Sequence, residues 1–353
     1  MPTLDALIRG LPDRPDPEAL LAGFVPPPRF AGKRFEDYAP DARFPSQRAA
    51  VERLRAFAAS MREGSLDGWM RRVRAAIGGA DRGSGVYLDG GFGVGKTHLL
   101  AALWHASPAP RAYLSFDELV YTIGLLGVGP TREAFCGMRL VAVDEWELDD
   151  PGNLKLALAF LRGALEDGVR VATTSNTVPD ELGRGRFSQK DFRAEIEELA
   201  SAFETVRVQG EDFRHRRFQA DPGRRYFAPR EELAAAARAA GPGALYAPFP
   251  ELLSALGTVH PIRYAGLAER MDALFVEGLA TVAVLPDALR WVHFMDKVYD
   301  DAVPFAASSG VDLEALFPAD FLRGPYGKKF SRCLSRMEEL LGEREPAEQR
   351  AAG

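Results

Sequence analysis

The amino-acid sequence predicts an α/β fold built on a central parallel sheet. Between Gly85 and Gln209, short apolar runs alternate with segments whose apolar residues recur at helical spacing. Strands buried on both faces read as continuous apolar runs, and their alternation with helices indicates parallel pairing through crossover helices. A glycine-rich loop joins the first run to the first helix, and tight strand-to-helix turns of such sheets favour glycine.

The individual elements follow from this alternation. The predicted strands are residues 85–89, 112–116, 138–144, 169–175 and 204–209. The predicted helices between them are residues 96–106, 117–126, 153–167 and 189–202.

The residues before the first strand divide into two parts. Residues 1–45 are rich in proline and predict a mostly irregular N-terminal arm, with one short helix near Thr3. A longer helix is predicted to begin at Ser46, which can cap it, because apolar residues recur at helical spacing after it. We therefore assign residues 46–212 to the α/β core.

Residues 213–353 predict a further α/β region. Its predicted elements are a helix at 231–240, a strand at 280–285, a helix at 287–299, a strand near 303–308 and a helix at about 326–341. The stretch "GPGALYAPFP", with its glycine and proline residues, is predicted to be a break without regular structure.

Composition excludes several classes of protein. The chain of 353 residues has 44 basic and 50 acidic residues, a net charge of -6, which argues against binding nucleic acid over the whole surface but not at a local basic patch. Its two cysteines, Cys136 and Cys333, are far apart, and the histidines lack metal-ligand spacing, so no disulfide framework or zinc site is expected. No apolar stretch is long enough for a transmembrane segment, and we expect a cytoplasmic protein.

The glycine-rich loop fits the pattern G-x-x-x-x-G-K-[ST] in full. Its residues are Gly90, Gly91, Phe92, Gly93, Val94, Gly95, Lys96 and Thr97. Glycines let successive N–H groups turn toward one concavity that holds phosphate oxygens, and the following helix adds the positive end of its dipole. In this pattern Lys96 contacts the β- and γ-phosphates and the Thr97 hydroxyl binds Mg²⁺. The sequence therefore predicts a P-loop NTPase fold that binds ATP and Mg²⁺, with His98 among the binding residues.

Two acidic residues end the third predicted strand. Asp144 and Glu145 follow the apolar run "LVAV" about 50 residues after the loop. Asp144 is predicted to hold Mg²⁺ through water, and Glu145 to activate the attacking water as a general base. Strands also end in solvated acids for no functional reason, but an Asp-Glu pair in this position favours an ATP-hydrolysing site.

Asn176 follows the fourth predicted strand, and we interpret it as the side chain that positions the lytic water; a turn or capping asparagine is the alternative. If this strand lies between the strands of Asp144 and of the glycine loop, the sheet order is 5-1-4-3-2. That order is typical of ATPases with an additional central strand (the ASCE class, AAA+-like).

Arginines after Asn176 are candidates for stabilising charge on the transferred phosphoryl group, in trans from a neighbouring subunit. Arg184, Arg186 and Arg193 precede the fifth strand, and we favour Arg186 as this finger. Arg214 begins a second arginine-rich stretch and could contact the nucleotide in cis. The same stretch could bind nucleic acid or acidic lipid, or simply be solvated.

These motifs together resemble one family, the ZapE-type cell-division ATPases, which are related to a mitochondrial inner-membrane-associated AAA+-like ATPase. The resemblance covers about Phe35 to Leu341. It rests on the order of "FEDYAPDARFPSQ", "LDGGFGVGKTHLL", "LVAVDEWELDDP", "VATTSNTVPDEL", "GEDFRHR" and "KKFSRCLSRMEEL". Trp146 and Phe213 depart from the family's usual phenylalanine and tyrosine, and "GRGRFSQKDF" differs from its usual form around Arg186.

The resemblance implies what the protein does and with which partners. It implies a cytoplasmic ATPase, peripheral to the membrane or division site, that forms a homo-oligomer with ATP at the subunit interface. It implies a protein partner such as FtsZ or another division or membrane protein. By motif position it carries over Lys96, Thr97, Asp144, Glu145 and Asn176, and it places Gln47 of "PSQ" near the adenine.

Two other function classes stay open at this point. A nucleic-acid-associated loader ATPase, of the helicase-loader or transposition-helper type, shares the GKTHL loop but predicts little structure after the fifth strand. A nucleotide-dependent scaffold with little turnover could dispense with Glu145.

Overall fold

A computed structural model describes residues 2–11, 21–63, 85–146, 151–176, 197–198, 200–211 and 227–342. The chain divides into two compact units. One contains Phe30–Phe213 with Pro15–Pro26, and the other contains Arg214–Gly353 with Met1–Arg14 and Pro27–Arg29. We call them the five-stranded unit and the three-stranded unit, after the sheet that each contains.

The regular elements alternate along the described chain. The strands are β1 (Gly85–Asp89), β2 (Arg111–Ser115), β3 (Leu140–Asp144), β4 (Arg170–Ser175), β5 (Phe203–Arg207), β6 (Ala244–Pro248), β7 (Ala273–Leu279) and β8 (Phe305–Ser309). The helices are α1 (Leu4–Arg9), α2 (Pro45–Glu63), α3 (Lys96–Ala106), α4 (Phe116–Leu126), α5 (Val128–Phe135), α6 (Pro151–Glu166), α7 (Arg230–Ala239), α8 (Phe249–Leu256), α9 (Tyr264–Ala268), α10 (Leu285–Asp300), α11 (Ala319–Arg323) and α12 (Gly327–Gly342). Short 3-10 helices occur at Pro28–Phe30, Phe35–Asp37, Pro261–Arg263 and Leu313–Ala315.

The sheet of the five-stranded unit is parallel and has the order β2-β3-β4-β1-β5. Counted from the other edge this is 5-1-4-3-2, which confirms the predicted order and the P-loop type of α/β fold. The strand that carries Asp144 is thus separated from the strand before the glycine loop by β4.

Three layers form because alternate residues of each central strand face opposite sides. Val141 and Val143 of β3 join a core with helices α4, α5 and α6, whereas Leu140 and Ala142 join a core with α2 and α3. Every residue of β1 and β3 is buried. This two-sided burial explains why both strands read as unbroken apolar runs.

Two local predictions near this sheet need correction. Ser46 does not cap α2, because the helix already begins at Pro45 and the Ser46 hydroxyl accepts a hydrogen bond from Gln209 N at 3.0 Å. Helix α5 was not predicted; it contains Gly129 and Pro130 in its first turn. Proline is tolerated in a first helical turn, where its missing N–H has no intrahelical partner anyway.

The short helix near Thr3 is confirmed, and its capping hydroxyl accepts from Ala6 N.

The sheet of the three-stranded unit is also parallel, with the order β6-β7-β8. Helix α7 covers one face, where Leu233 and Ala237 pack with Ala244, Phe275 and Ala306. Helix α8 packs against β6 and β7, and α10 packs against α8, α9 and α12. The predicted helices at 231–240, 287–299 and 326–341 and the strand near 303–308 are confirmed within a few residues.

The predicted strand at 280–285 is wrong. The strand lies earlier, at Ala273–Leu279, and residues 283–286 are exposed although apolar. The sequence did not predict β7 because Glu277 and Gly278 interrupt its apolar run. Glu277 is accommodated by Tyr246 and Arg230, and Gly278 has a φ of 74° at an irregularity of the β7–β8 pairing. The stretch predicted to be a Gly/Pro break contains β6.

Among the helices that the structure describes, none has both the length and the apolar composition needed to cross a bilayer.

A buried ionic cluster joins α10 to α12 in the three-stranded unit. Asp296 accepts hydrogen bonds from Arg332 at 2.7 Å and Arg336 at 2.5 Å, and all three side chains are at most 10% exposed. Burial raises the pKa of Asp296, but the two guanidinium groups outweigh that effect and hold the pKa below its ordinary value. Removing one partner of such a cluster leaves buried charge uncompensated.

We therefore predict that Asp296→Ala lowers the free energy of unfolding by about 3–5 kcal/mol. The control is Asp287→Ala in the first turn of the same helix, where a carboxylate about one-third exposed pairs with Arg290 at 2.7 Å. That change should cost about 1 kcal/mol or less. Urea unfolding followed by circular dichroism measures both, and equal losses would contradict a role for the buried cluster.

Candidate active site

The predicted site residues meet at the edge of the five-stranded sheet where its parallel strands end. β1 runs into the glycine loop, β3 ends at Asp144, and Asn176 follows β4 directly. Because β3, β4 and β1 are neighbours in the sheet, these three ends lie side by side. Ligand sites of open parallel sheets form at this edge.

The glycine loop packs too closely for larger residues at two of its positions. A Cβ on Gly90 would lie 2.2 Å from the carbonyl oxygen of Val208, a residue that itself donates to Asp89 O at 2.6 Å. Gly95, which precedes α3 and gives it no side-chain cap, has a φ of 88°, and a Cβ there would lie 2.6 Å from the Tyr38 ring. The first N–H groups of a helix lack intrahelical partners, so this end of α3 can bind an anion.

Lys96 connects the glycine loop with the end of β4. Its ammonium group donates to Gly90 O at 2.7 Å, to Gly91 O at 2.6 Å and to the Asn176 Oδ1 atom at 2.8 Å. The lysine side chain is buried, and oxygen atoms compensate its charge. The predicted phosphate-binding lysine and the predicted sensor asparagine are therefore in direct contact.

Asp144 is held by hydroxyl groups from both neighbouring strands. The Tyr113 hydroxyl of β2 donates to Oδ2 at 2.9 Å, and the Thr174 hydroxyl of β4 donates to Oδ1. The Thr97 hydroxyl of α3 lies 3.5 Å from the same Oδ1 atom. The two side chains predicted to bind Mg²⁺ thus face each other.

Glu145, the residue after Asp144, has a left-handed backbone conformation with a φ of 55°. A non-glycine residue in this region costs about 1–3 kcal/mol, which the surrounding structure must offset. The Glu145 N–H is shared between Asp144 Oδ1 at 3.1 Å and Thr174 Oγ1 at 3.0 Å, and Trp146 N donates to Thr174 O at 2.7 Å. Trp146 is fully buried against the rings of Phe116 and Phe203 and so fixes the chain just beyond the strained residue.

The donor set suits a hard divalent cation. Thr97 and Asp144 offer oxygen atoms only, which Mg²⁺ prefers. In the described parts of the chain, no group of three or more His, Cys, Asp or Glu side chains could hold a metal ion. Mg²⁺ generally keeps several waters and takes its other ligands from phosphates rather than from a cage of protein side chains.

Residues of the predicted N-terminal arm lie against the glycine loop. The Tyr38 hydroxyl donates to Val94 O at 2.8 Å, and burial raises the pKa of Tyr38 to about 12. The His98 ring packs edge-on against Tyr38, its Nε2 atom lies 2.9 Å from Arg34 O, and burial lowers the pKa of His98. Here His98 contacts the arm, and its predicted role in nucleotide binding stays a prediction.

Gln47 is buried beside the same loop. Its Oε1 atom accepts from Asp41 N at 2.7 Å, and its Nε2 atom donates to Gln209 O at 2.8 Å. Both ends of the amide thus connect segments of the protein backbone, and its predicted place near the adenine stays a prediction.

The structure describes part of the predicted set and adds two residues to it. Arg184, Arg186, Arg193 and Arg214 lie outside the described residues, as does Phe213. Sequence reasoning missed Tyr113 and Thr174. Two features of the sequence could have indicated them: a tyrosine in the middle of the apolar run 112–116 and a hydroxyl residue two positions before Asn176. Neither is specific, because buried strands also contain tyrosine and threonine that serve only to pack the core.

The sequence model of the AFG1-like ATPases matches residues 32–241 and 228–345. The chain belongs to the AFG1-like ATPase family. The resemblance to ZapE-type ATPases is confirmed with it. Cell division protein ZapE of Escherichia coli K12 is 24% identical over an alignment of 299 positions, and the match covers 73% of this chain and 78% of ZapE. The same protein of Escherichia coli O157:H7 matches equally well.

Two solved structures resemble this AFG1-like ATPase with low TM-scores. A crystal structure of DnaI has a TM-score of 0.36 and 16% identity, covering 53% of this chain and 93% of DnaI. AMPPCP-bound DnaA from Aquifex aeolicus has a TM-score of 0.37 and 13% identity, covering 67% of this chain and 63% of that chain.

The loop geometry of this AFG1-like ATPase predicts unequal tolerance of two adjacent glycines. Gly90→Ala should lower the free energy of unfolding by about 1–3 kcal/mol, because its methyl group would overlap the Val208 carbonyl. Gly91→Ala is the control, since a Cβ there meets nothing within 4 Å, and it should change stability by about 0.5 kcal/mol at most. Urea unfolding of both variants measures the difference; a stable Gly90→Ala protein would refute this packing.

Proposed function

We propose that this AFG1-like ATPase hydrolyses ATP to ADP and phosphate at the edge where β1, β3 and β4 end. One observation carries the proposal: Lys96, Thr97, Asp144, Glu145 and Asn176 converge there, although they are spread over 81 positions, from residue 96 to residue 176. Such a set combines a phosphate cradle, metal ligands and a general base.

Binding comes from the glycine loop and the start of α3. Backbone N–H groups and the Lys96 ammonium group hold the phosphate oxygens, and Lys96 exchanges its present oxygen partners for them. Thr97 directly and Asp144 through water would hold a Mg²⁺ ion, which would supply positive charge beside the phosphate oxygens.

Glu145 acts as the general base. It takes a proton from a water molecule as the water oxygen attacks the γ-phosphorus and the bond to the β–γ bridging oxygen breaks. Asn176 orients that water from the neighbouring strand end. An arginine from an adjacent subunit, Arg186 in our assignment, stabilises the charge of the transition state, and this requires a homo-oligomer with ATP at the subunit interface.

We further propose that hydrolysis serves to remodel a protein partner in cell division. The support is the family itself and its curated relative ZapE, which is named a cell division protein. We expect a cytoplasmic protein that meets its partner at the division site or the membrane periphery, with FtsZ as the first partner to test.

The hydrolysis proposal predicts different defects for two variants. Lys96→Ala should lose nucleotide binding and reduce turnover about 100-fold or more, because it removes the phosphate-binding cation. Glu145→Gln should bind ATP with unchanged affinity while its turnover falls about 100- to 10,000-fold. Fluorescent-nucleotide binding and phosphate release measure the two quantities separately.

The control for the second variant is Glu52→Gln, which neutralises an exposed glutamate of α2 and should retain full activity. Full activity in Glu145→Gln would contradict the assignment of Glu145 as the general base. The same variant, loaded with ATP, can trap the partner for identification. Salt-sensitive stimulation by DNA, without stimulation by FtsZ or a membrane protein, would instead favour the loader class.

A further inference from the structure

We propose that Tyr113 and Thr174 are positioning residues that hold the Asp144 carboxylate in the orientation that binds the metal ion. We call this pair the Asp144 clamp. The proposal rests on the proposed ATP hydrolysis, and it assigns a role to two side chains outside the glycine loop and outside the Asp144-Glu145-Asn176 set.

Strand register places the clamp on both sides of Asp144. β3 lies between β2 and β4 in the sheet. Tyr113 of β2 stands opposite Ala142, and its side chain can reach along that face to Asp144, two residues further along β3. On the other side, Thr173 stands opposite Val143, so that Thr174 is level with Asp144.

Each oxygen atom of the Asp144 carboxylate accepts a hydrogen bond from a different residue of the clamp. Oδ2 accepts from the Tyr113 hydroxyl at 2.9 Å, and Oδ1 accepts from the Thr174 hydroxyl and from Glu145 N. A carboxylate held at both oxygens cannot turn freely about its χ2 angle. The orientation of the carboxylate relative to Thr97, where the metal would bind, is therefore fixed.

All three side chains are buried. Asp144 is 7% exposed, Tyr113 3% and Thr174 2%. Water therefore has little room to replace a missing hydroxyl, and a lost hydrogen bond leaves the carboxylate less ordered. Partners that orient metal ligands typically matter 10- to 100-fold for metal affinity or activity when they are removed.

The two clamp residues differ in one respect that a test can use. Thr174 also accepts a hydrogen bond from Glu145 N, at 3.0 Å, whereas the Tyr113 hydroxyl donates to the Asp144 carboxylate. Loss of the Tyr113 hydroxyl should therefore weaken metal binding and leave turnover at saturating metal within about threefold of wild type. Loss of the Thr174 hydroxyl should weaken metal binding and also lower turnover at saturating metal, because the base is no longer held.

Tyr113→Phe and Thr174→Val remove only the hydroxyl groups and keep the approximate side-chain volumes. Mn²⁺ binding to the full chain is measured by electron paramagnetic resonance in the presence of a non-hydrolysable ATP analogue. We expect the Mn²⁺ affinity to fall about tenfold or more in each variant, and the affinity for the analogue without metal to stay unchanged. Thr174→Ser keeps a hydroxyl group and should restore both metal affinity and turnover.

Two controls remove a buried hydroxyl elsewhere. Thr173→Val changes the adjacent residue of β4, whose hydroxyl has no hydrogen-bond partner among the residues that the structure describes. Tyr264→Phe changes a buried tyrosine of the three-stranded unit that donates to Leu256 O at 2.8 Å. Both variants should bind Mn²⁺ like the wild type.

The outcomes separate this inference from the proposed function. If the wild type binds neither the analogue nor Mn²⁺, the proposed function and the clamp both fail. If the wild type binds both and Tyr113→Phe has wild-type Mn²⁺ affinity, the clamp alone is overturned. If Tyr113→Phe unfolds by circular dichroism, the Thr174→Val and Thr174→Ser pair decides, and equal metal affinity in these two variants overturns the clamp.

Discussion

The carboxylate of Asp144 is the group on which the arrangement of the whole site depends. It accepts hydrogen bonds from β2 through Tyr113, from β4 through Thr174 and from the backbone of Glu145, and it lies opposite Thr97 at the start of α3. A nearly buried carboxylate is stable only when its oxygen atoms are satisfied. The same hydrogen bonds therefore stabilise the sheet edge and set the distances between the strand ends. A substitution that removes one of them should change both the stability of the fold and the geometry of the site.

The strained backbone of Glu145 is a consequence of this arrangement. After β3 the chain must turn while its N–H still reaches Asp144 and Thr174, and the left-handed φ of 55° satisfies that requirement. Full burial of a large aromatic side chain contributes more than about 2 kcal/mol, which is comparable to the cost of the strain. The burial of Trp146 next to Glu145 can therefore offset that cost and fix the position of Glu145.

Sequence reasoning succeeded where one physical rule acts alone. Two-sided burial makes β1 and β3 apolar runs, and phosphate binding requires the residue types of the glycine loop, so these strands and the loop before α3 could be predicted. It failed where tertiary contacts override local composition. Glu277 interrupts the apolar run of β7 but not the strand itself, because Tyr246 and Arg230 accommodate its charge. Tyr113 resembles any core aromatic residue, because its partner lies 31 positions away and only the parallel register brings the two together.

The site thus consists of a constrained half and an exchangeable half. Asp144 and Glu145 are held by buried hydroxyl and backbone groups that have no reason to change partners during a reaction. Lys96 instead donates to two loop carbonyls and to Asn176, which phosphate oxygens can replace with stronger, charge-assisted hydrogen bonds. In the reaction that we propose, that exchange would release the Asn176 amide oxygen when a water molecule must be oriented. In the reaction that we propose, nucleotide binding would therefore assemble the last part of the catalytic geometry around a metal site that the fold has already built.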